Sequence, residues 1–482
     1  MNRLPVHRVR RALLAFALIG SLRAADWPRF RGPNGSGVAE TSGLPEKFGP
    51  ASNVVWKTAL PLGHSSPVLS GDRIFVTGAT DGKLYTFCLS RETGRILWRR
   101  ECPRSRSETL DKLNTAASAT AAVDGKNVYV FFGDFGVISY GFDGNERWRL
   151  PLGPFHNVYG MGGSPIVAGD KVILVCDQSW DSFAIAVGKD DGLVKWKRSR
   201  PEALSGHATP VLYQPPSGPL EIIAPGSFRM DAYSLETGDS VWWTNGLPSE
   251  MKSGAVLGNG LLYVSGFNTP ENDPGRQVHV PSFDEVLKAH DKNKDGRISF
   301  AEVPDERTKA YWKFIDLDQD GFITAAEWKV YAATMVAENG LLAFRPDGRG
   351  DATTASLVWK YQRAVPQLPT ALFYQNVLYM LNDSGVLTTL DPATAAVFKQ
   401  GRVRGAADRY FSSPVAADGK VFVISQTGIV TVLKAGGQQD VLAVNELDDE
   451  CYATPAIADG RIYIRTRSTL FCFGKTGTPS PQ

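Results

Sequence analysis

The feature that most constrains this chain of 482 residues is an internal repeat. The segment SSPVLSGDRIFVTGATDGKLYTFCLSRETGRILW (65–98) matches GSPIVAGDKVILVCDQSWDSFAIAVGKDDGLVKW (163–196). Likewise SSPVAADGKVFVISQTGIVTVL (412–433) matches ATPAIADGRIYIRTRSTLFCF (453–473). Each unit opens with a small residue, a proline and an apolar strand. A turn with Gly or Asp leads to a β-branched and aromatic strand, then come a second turn, a third strand and a last strand that ends in Trp. Four short strands per ~45 residues, repeated along the chain, are the pattern of a propeller blade. The closing tryptophans fall at 56, 98, 148, 196 and 242, and the next at 359. That last interval exceeds one repeat by about 70 residues and predicts an insertion within one blade.

Inner strands are expected to start near 66, 118, 164, 209, 253, 370, 413 and 454, which makes eight blades. The final unit lacks an outer strand, and NVVWKTAL (53–60) is an unassigned strand that would complete it and cover an open edge. The expected fold is therefore all-β: an eight-bladed propeller of four-stranded blades, closed by an N-terminal strand, carrying a small α-helical insertion. Composition agrees. Hydrophobic residues make up 43% and charged residues 21%, which excludes a disordered chain, and 48 Gly with 30 Pro supply the turns. Lys+Arg at 52 against Asp+Glu at 50 provides no field for nucleic acid or an anionic membrane.

Residues 1–24 read as a secretory signal: Arg3, Arg8, Arg10 and Arg11 precede an apolar run from Ala12 to Ile19, too short to span a bilayer, and small residues lead to Ala24. Arg10-Arg11 leaves a twin-arginine route open. Removing this segment takes away five arginines and no acid, so the mature chain carries net −3. The reading is of an exported protein, periplasmic or secreted, without a membrane span. Its five cysteines cannot all pair within the chain, and none lies in a C-x-x-C; Cys88 and Cys472 sit inside strand-like runs as small buried hydrophobes.

The insertion carries the clearest chemistry. DKNKDGRISFAE (291–302) and DLDQDGFITAAE (316–327) both fit the twelve-residue EF-hand calcium loop. In the first, Asp291, Asn293, Asp295 and the bidentate Glu302 supply side-chain oxygens, Arg297 its backbone carbonyl, and Ser299 acts through water. In the second, Asp316, Asp318, Asp320 and Glu327 ligate, with Phe322 by its backbone and Thr324 at the ninth position. Ile298 and Ile323 would pair the loops, and 282–290 and 325–337 read as flanking helices. Only 303–315 separates the loops, so one short helix must serve both. The expected cofactor is calcium, two ions. Segment 282–338 holds 12 acids and 8 bases, which leaves the rest of the mature chain near neutral.

The spacing A-x-x-x-x-[TD]-G-x-x-x-W recurs as Ala186–Gly192–Trp196 and Ala232–Gly238–Trp242, with Cys88–Gly94–Trp98 and Asp143–Gly144–Trp148 as variants. It resembles the tryptophan-docking repeat of the quinoprotein (PQQ-dependent) dehydrogenase-like propellers, and WPRFRGPNGSGVAE (27–40) resembles the start of exported PQQ-like repeat proteins. The resemblance covers roughly 26–475 apart from the insertion. It implies a domain plan of signal peptide 1–24, propeller 25–474, EF-hand pair 279–338 within the fifth blade and tail 475–482. In the dehydrogenases, PQQ lies on the channel axis beside a calcium held by Glu, Asn and Asp, with an Asp base and often adjacent cysteines. No two cysteines are adjacent here, and no such acid set maps residue by residue, so PQQ stays possible without residue support. The related lipoprotein propeller of outer-membrane assembly needs a cysteine at its cleavage site, whereas the first here is Cys88; the protein is not expected to be a lipoprotein.

Strand direction brings polar residues to the channel mouth where inner strands start. His64 and His207 stand three residues before the inner-strand prolines, and Asn114, Lys252, Arg409 and Tyr410 approach from other inner-strand starts. Trp180 and Arg229 come from loops after second strands, as do Asp134, Asp383 and Arg467. These groups form a binding site or else bond neighbouring blades and solvate the rim. The insertion leaves after a second strand and should stand on the same face. The function expected is a calcium-binding interaction module, a monomer whose partner is a protein, small molecule or carbohydrate at the mouth; the alternative is a PQQ-dependent dehydrogenase of alcohols or sugars.

Overall fold

The computed structural model describes residues 26–475 except 304 and 406. The signal segment 1–24 and the tail beyond 475 lie outside the described residues. Eight antiparallel sheets form a ring, with inner strands Val68–Ser70, Ala122–Val123, Ile166–Ala168, Val211–Tyr213, Val256–Gly258, Leu372–Tyr374, Val415–Ala417 and Ala456–Ala458. In blades one to four, six and seven, the four strands follow one another in sequence from the axis outward. Blade eight takes its outer strand from the N-terminus: Val54–Ala59 pairs antiparallel with Thr469–Gly474. Blade four gains a fifth, two-residue strand, because Gly350–Asp351 runs parallel to its outer strand.

One joint recurs between blades. Where an outer strand carries the tryptophan, it lies opposite a small residue of the third strand: Trp98 faces Cys88, Trp148 faces Ser139, Trp196 faces Ala186 and Trp359 faces Ala343. A register shift follows directly in each ladder, and the indole turns toward the next blade. There its N–H donates to a turn carbonyl: Trp98 to Phe142 at 2.9 Å, Trp148 to Lys189 at 2.9 Å, Trp196 to Leu235 at 3.1 Å. The turn glycine lies flat against the ring. A Cβ on Gly192 would fall 2.8 Å from the Trp148 indole, and Gly192 also has φ +71°, a conformation that disfavours any side chain. Trp56 of the closing strand makes the same joint with blade one, donating to Arg91 O at 3.0 Å.

A second set of bonds ties the blades at the axis. The N–H of Ser66 donates to Thr120 Oγ1, Thr120 to Ser164 Oγ and Ser164 to Thr209 Oγ1, at 2.9, 3.0 and 3.3 Å. The chain resumes from Gly254 to Thr370, Ser413, Thr454 and back to Ser66, at 3.0 to 3.1 Å. Only blade five, where Gly254 has no hydroxyl, interrupts it.

The N-terminal segment plugs the opposite end of the channel. Trp27 pairs with Leu69 of blade one, Pro28 O accepts from Val123 of blade two, and Ala39 donates to Ala416 of blade seven. Arg31 is 1% exposed and caged by carbonyls: Nε donates to Gly35 O at 3.1 Å, Nη1 to Pro414 O at 3.1 Å and Nη2 to Ala371 O at 2.9 Å. Arg29, 5% exposed, donates to Pro210 O of blade four.

The helical insertion leaves blade five after Leu261–Gly266 and returns at Gly340–Phe344. Two fully buried asparagines close its stem: Asn272 Nδ2 donates to Thr334 O and Ala337 O at 2.7 and 2.6 Å, and Asn339 Nδ2 to Thr269 O at 2.8 Å. Helix α1 (Phe283–His290) starts with a capping box between Ser282 and Glu285. The single linking helix expected between the loops is instead two short pieces, α2 (Glu306–Ala310) and α3 (Trp312–Ile315), because Tyr311 leaves helical geometry at φ −92°, ψ 3°. Helix α4 (Ala325–Val336) completes the module, whose core gathers Val286, Ile298, Ile315, Ile323, Trp328 and Met335.

The joint predicts a local cost. Gly192→Ala combines a strained φ with overpacking against Trp148, so it should lower stability by about 2–4 kcal/mol, read as a shift in the denaturant midpoint with m unchanged.

Candidate functional site

The face on which inner strands begin opens into a cavity of about 450 Å³. Its lining includes His64, Asn114, His207 and Lys252, all expected there, together with Asp111, Tyr159, Gln367, Phe411 and Tyr452. It continues along the axis into a narrower space of about 140 Å³, lined by the hydroxyl ring and by Phe30 of the plug. The recess is therefore lined along its axis and floored by the N-terminal segment.

Its walls are held by specific contacts. His64 stacks on Tyr452 with ring centroids 4.2 Å apart, and Phe411 lies 5.2 Å from the same tyrosine. Lys252 pairs with Glu250 at 2.8 Å and lies 4.5 Å over the Tyr159 ring, whose hydroxyl donates to the same Glu250 carboxylate at 3.0 Å. Asn114 Nδ2 donates to Tyr159 O at 2.8 Å, and its Oδ1 accepts from Ser118 Oγ at 2.6 Å. His207 packs edge-on to Tyr159, and its Nδ1 is buried without a hydrogen-bond partner among the described residues. Burial holds both imidazoles neutral, at pKa values of about 3; Arg465 and Arg467 add to the effect at His64, and Lys252 at His207.

The seven other expected residues lie elsewhere. Trp180 stacks on His156 at 3.9 Å, outside the recess. Arg229 pairs with Asp231 and with Glu202 at 3.1 Å, beside the buried Arg200–Asp177 pair. Tyr410 is fully buried against Gly385, and Arg409 lines an adjoining cleft with Asp383 and Asp408. Asp134 and Arg467 are likewise engaged, in ion pairs with Arg104 and Glu450 at 2.8 Å each. For the five that follow second strands (Asp134, Trp180, Arg229, Asp383 and Arg467) the reason is radial. Turns after second strands stand one strand, about 4.8 Å, farther from the axis than inner-strand starts, so their side chains reach the rim. Of the residues that sequence reasoning missed, Asp111 and Tyr159 come from connections 103–121 and 152–165, the longest between blades, where that length was the available signal; Gln367, Phe411 and Tyr452 come from shorter connections that carry no such signal.

The helical module stands on this same face, where Phe314 of α3 meets Tyr159 with centroids 5.9 Å apart. Its second loop gathers carboxylates as a cation site requires. Asp316, Asp318 and Asp320 bring one carboxylate oxygen each within 4.8 Å of one another. The Oδ1 atom of Asp316 is buried with no hydrogen-bond partner among the described residues, a position a metal would satisfy. Asp316 Oδ2 accepts from Gly321 N at 3.1 Å, and Asp291 Oδ2 accepts from Gly296 N at 3.0 Å, the same turn in both loops. Gly296 and Gly321 have φ +75° and +90°. Ser299 and Thr324 each bond the carboxylate of the twelfth residue, Glu302 or Glu327. Ile298 pairs with Ile323, both fully buried. Arg297 lies 3.8 Å over the Phe322 ring, joining the seventh positions of the two loops. The residues fit calcium, with oxygen ligands only. The five cysteines are buried and unpaired; burial raises the thiols, to about 12 for Cys88, Cys102 and Cys451.

The neutral histidines predict a pH dependence. Below the ordinary value of 6.5 the unfolded chain takes up protons that the folded imidazoles refuse, so their stabilisation is complete above 6.5 and lost as pH falls toward 3. Each contributes a slope of up to about 1.4 kcal/mol per pH unit. Denaturant titrations at pH 7 and 4.5 should show His207→Gln losing less stability across this interval than the wild type.

Comparison with known proteins accords with this architecture. The family model for outer membrane protein assembly factor BamB matches residues 46–111, 89–269 and 308–477, and the EF hand model matches 283–303. No curated protein matches the chain in sequence. Among solved structures, BamB from Moraxella catarrhalis is 12% identical with a TM-score of 0.52, covering 87% of this chain and 99% of its own. The quinohemoprotein alcohol dehydrogenase ADHIIG from Pseudomonas putida HK5 is 13% identical with a TM-score of 0.55, covering 95% and 81%. A europium-containing methanol dehydrogenase is 11% identical with a TM-score of 0.53, covering 93% and 98%. At these identities the likeness is one of fold. Among the described residues no helix is long and apolar enough to cross a membrane. Eight blades, five of them joined to the next through a tryptophan, and a family match over most of the chain lead to one conclusion: the protein belongs to the PQQ-like repeat family described as outer membrane protein assembly factor BamB.

Proposed function

We propose that this protein is an exported binding propeller, braced by two calcium ions, whose mouth receives a carbohydrate. The observation that carries the reading is the make-up of the recess. The aromatic rings of Tyr159, Phe411 and Tyr452 stand beside Gln367, Lys252 and the unpartnered His207 Nδ1 in a cavity of about 450 Å³ floored by Phe30. Aromatic faces take the apolar face of a sugar ring while a few fixed polar groups bond its hydroxyls. Export through the basic and apolar segment 1–24, without a lipid anchor, would place the protein where calcium is abundant and even sites with Kd of ~10⁻⁴ M are filled. It would act there as a monomer.

The dehydrogenase reading fits the residues less well. A quinone with three carboxylates beside a calcium ion needs several cations and a Glu, Asn and Asp set. The recess offers the carboxylate of Asp111, an Asn114 amide already bonded to Tyr159 O and Ser118, and Lys252 already paired with Glu250. PQQ does not fit this lining, and no redox step is assigned. Dye-linked oxidation of alcohols or sugars after addition of PQQ and Ca²⁺ would overturn that conclusion.

Two measurements test the proposal. Calorimetry against a panel of mono- and disaccharides should find a binder, and Tyr452→Ala should weaken it by at least ~10-fold, since the change removes a ring face and frees His64; no binding by any sugar refutes the reading. Calcium titration should give two sites, with Asp291→Ala and Asp316→Ala each removing one. Unchanged stoichiometry in either variant would refute the metal assignment.

A further inference from the structure

The hydroxyls that tie the blades at the axis share one property and converge on one space. Each of the seven accepts a backbone N–H from the neighbouring blade, and none donates its own proton to a protein acceptor among the described residues. Elsewhere the hydroxyl of Ser65 reaches Thr77 O, that of Thr77 reaches Ala117 O, and that of Ser182 reaches Ala203 O. The seven are at most 6% exposed and all line the axial space of about 140 Å³. A hydroxyl rotor points its proton wherever an acceptor stands, so the ring offers O–H donors converging on one small volume.

Among the described residues, the buried charges around that volume that meet no opposite charge are guanidinium groups. No carboxylate lines it; Asp111 belongs to the wider mouth above, and Glu250 is bonded to Lys252 and Tyr159. Lys252 lines both spaces with its charge offset by Glu250 at 2.8 Å, so the field comes from the guanidinium groups. Beneath Phe30, Arg29 and Arg31 are caged by carbonyls and meet no acid, and Arg465, 1% exposed, donates to Ser65 and Pro61 behind His64. The two neutral imidazoles add no negative charge. Converging donors in a positive, low-dielectric space select an acceptor that carries negative charge.

The axial space and the mouth share His64, Gly162, His207, Lys252, Phe411 and Tyr452, so one ligand occupies both. We infer that the hydroxyl-lined shaft is a carboxylate subsite and that the ligand of the mouth is an acidic sugar, a uronate, with its ring against the aromatic wall and its carboxylate on the axis. This rests on the carbohydrate reading above and adds the anionic group to it.

Calorimetry on the full chain in calcium, with four probes, tests the two separately: D-galacturonate and D-glucuronate, their methyl esters, the neutral hexoses, and acetate. The expected result is that a uronate binds at least ~10-fold more tightly than its ester or hexose and that acetate competes with it. Equal affinity for acid, ester and hexose overturns the carboxylate subsite while the carbohydrate reading stands. Competition-proof binding of neutral sugars with no effect of acetate does the same. Acetate binding without any sugar supports the shaft and overturns the carbohydrate reading, and no binding by any probe overturns both. Within the ring, Thr120→Val should weaken uronate binding by ~5-fold or more and Thr120→Ser should retain it. Should Thr120→Val fail to fold, the ester comparison decides the matter without it.

Discussion

An indole laid on the turn of the next blade is the contact on which the rest of this molecule depends. It sets the repeat length, because the tryptophan must follow the turn glycine by a fixed few residues to reach the neighbour rather than its own blade. It requires a small residue opposite, which is why Cys88, Ser139, Ala186 and Ala343 occupy that position. The joint changes where the chain departs from the repeat. Trp242 borders the interrupted blade and donates to Glu221 of its own blade instead. In blade six Lys399 stands in the tryptophan position and reaches Gln438 O of the next turn with its ammonium, at 2.7 Å. In blade seven Ala443 takes the position, and Leu44 and Phe48 from the N-terminal segment share its core cluster. The ring tolerates these exchanges because each still buries or bonds the facing turn.

Joining eight blades at their outer strands leaves the inner strands around an axis, and what fills that axis decides what the protein can bind. The hydroxyl ring ties one blade to the next but leaves a hollow. The N-terminal segment closes one end with a cost that sequence composition hides: two guanidinium groups lose their water, and burial pulls both down to about 9. Carbonyl cages offset the loss of hydration without neutralising charge. The result is a one-ended recess with a positive base. An apolar plug would have closed the channel as well, yet it would have left no field for a ligand above it to use.

How much of this was legible in the sequence follows from what periodicity can report. The repeat gave the blades and the closing strand, because strand order and joint are local patterns copied many times. The EF-hand loops were equally plain, since their ligands lie within twelve residues of one another. The mouth was half legible. Residues placed by an inner-strand start, such as His64 and His207, do line the recess, whereas Arg229 and Trp180 do not, because a repeat gives position along a blade and says little about distance from the axis. Tyr410 and Phe411 show how fine the margin is. Adjacent residues in an extended segment face opposite ways, so Tyr410 is buried against Gly385 while its neighbour lines the cavity. The plug was not legible: WPRFRGPNG stood out only as a family resemblance, and nothing local tells that its arginines meet carbonyls from blades four, six and seven.

The helical module connects these two kinds of information. It is inserted where the chain emerges on the mouth face, and two buried asparagines fix its stem, so its position relative to the recess is set by the blade that carries it. Helix α3 then serves two surfaces at once. Ile315 enters the module core, Phe314 lies on Tyr159, and Asp316 opens the second calcium loop directly afterwards. Tyr159 in turn bonds Glu250, which holds Lys252 at the wall of the recess. The three residues 314–316 therefore place a propeller contact, a core anchor and an EF-hand carboxylate on a single turn, and a cation bound there would also fix the aromatic wall against which the ligand is proposed to sit.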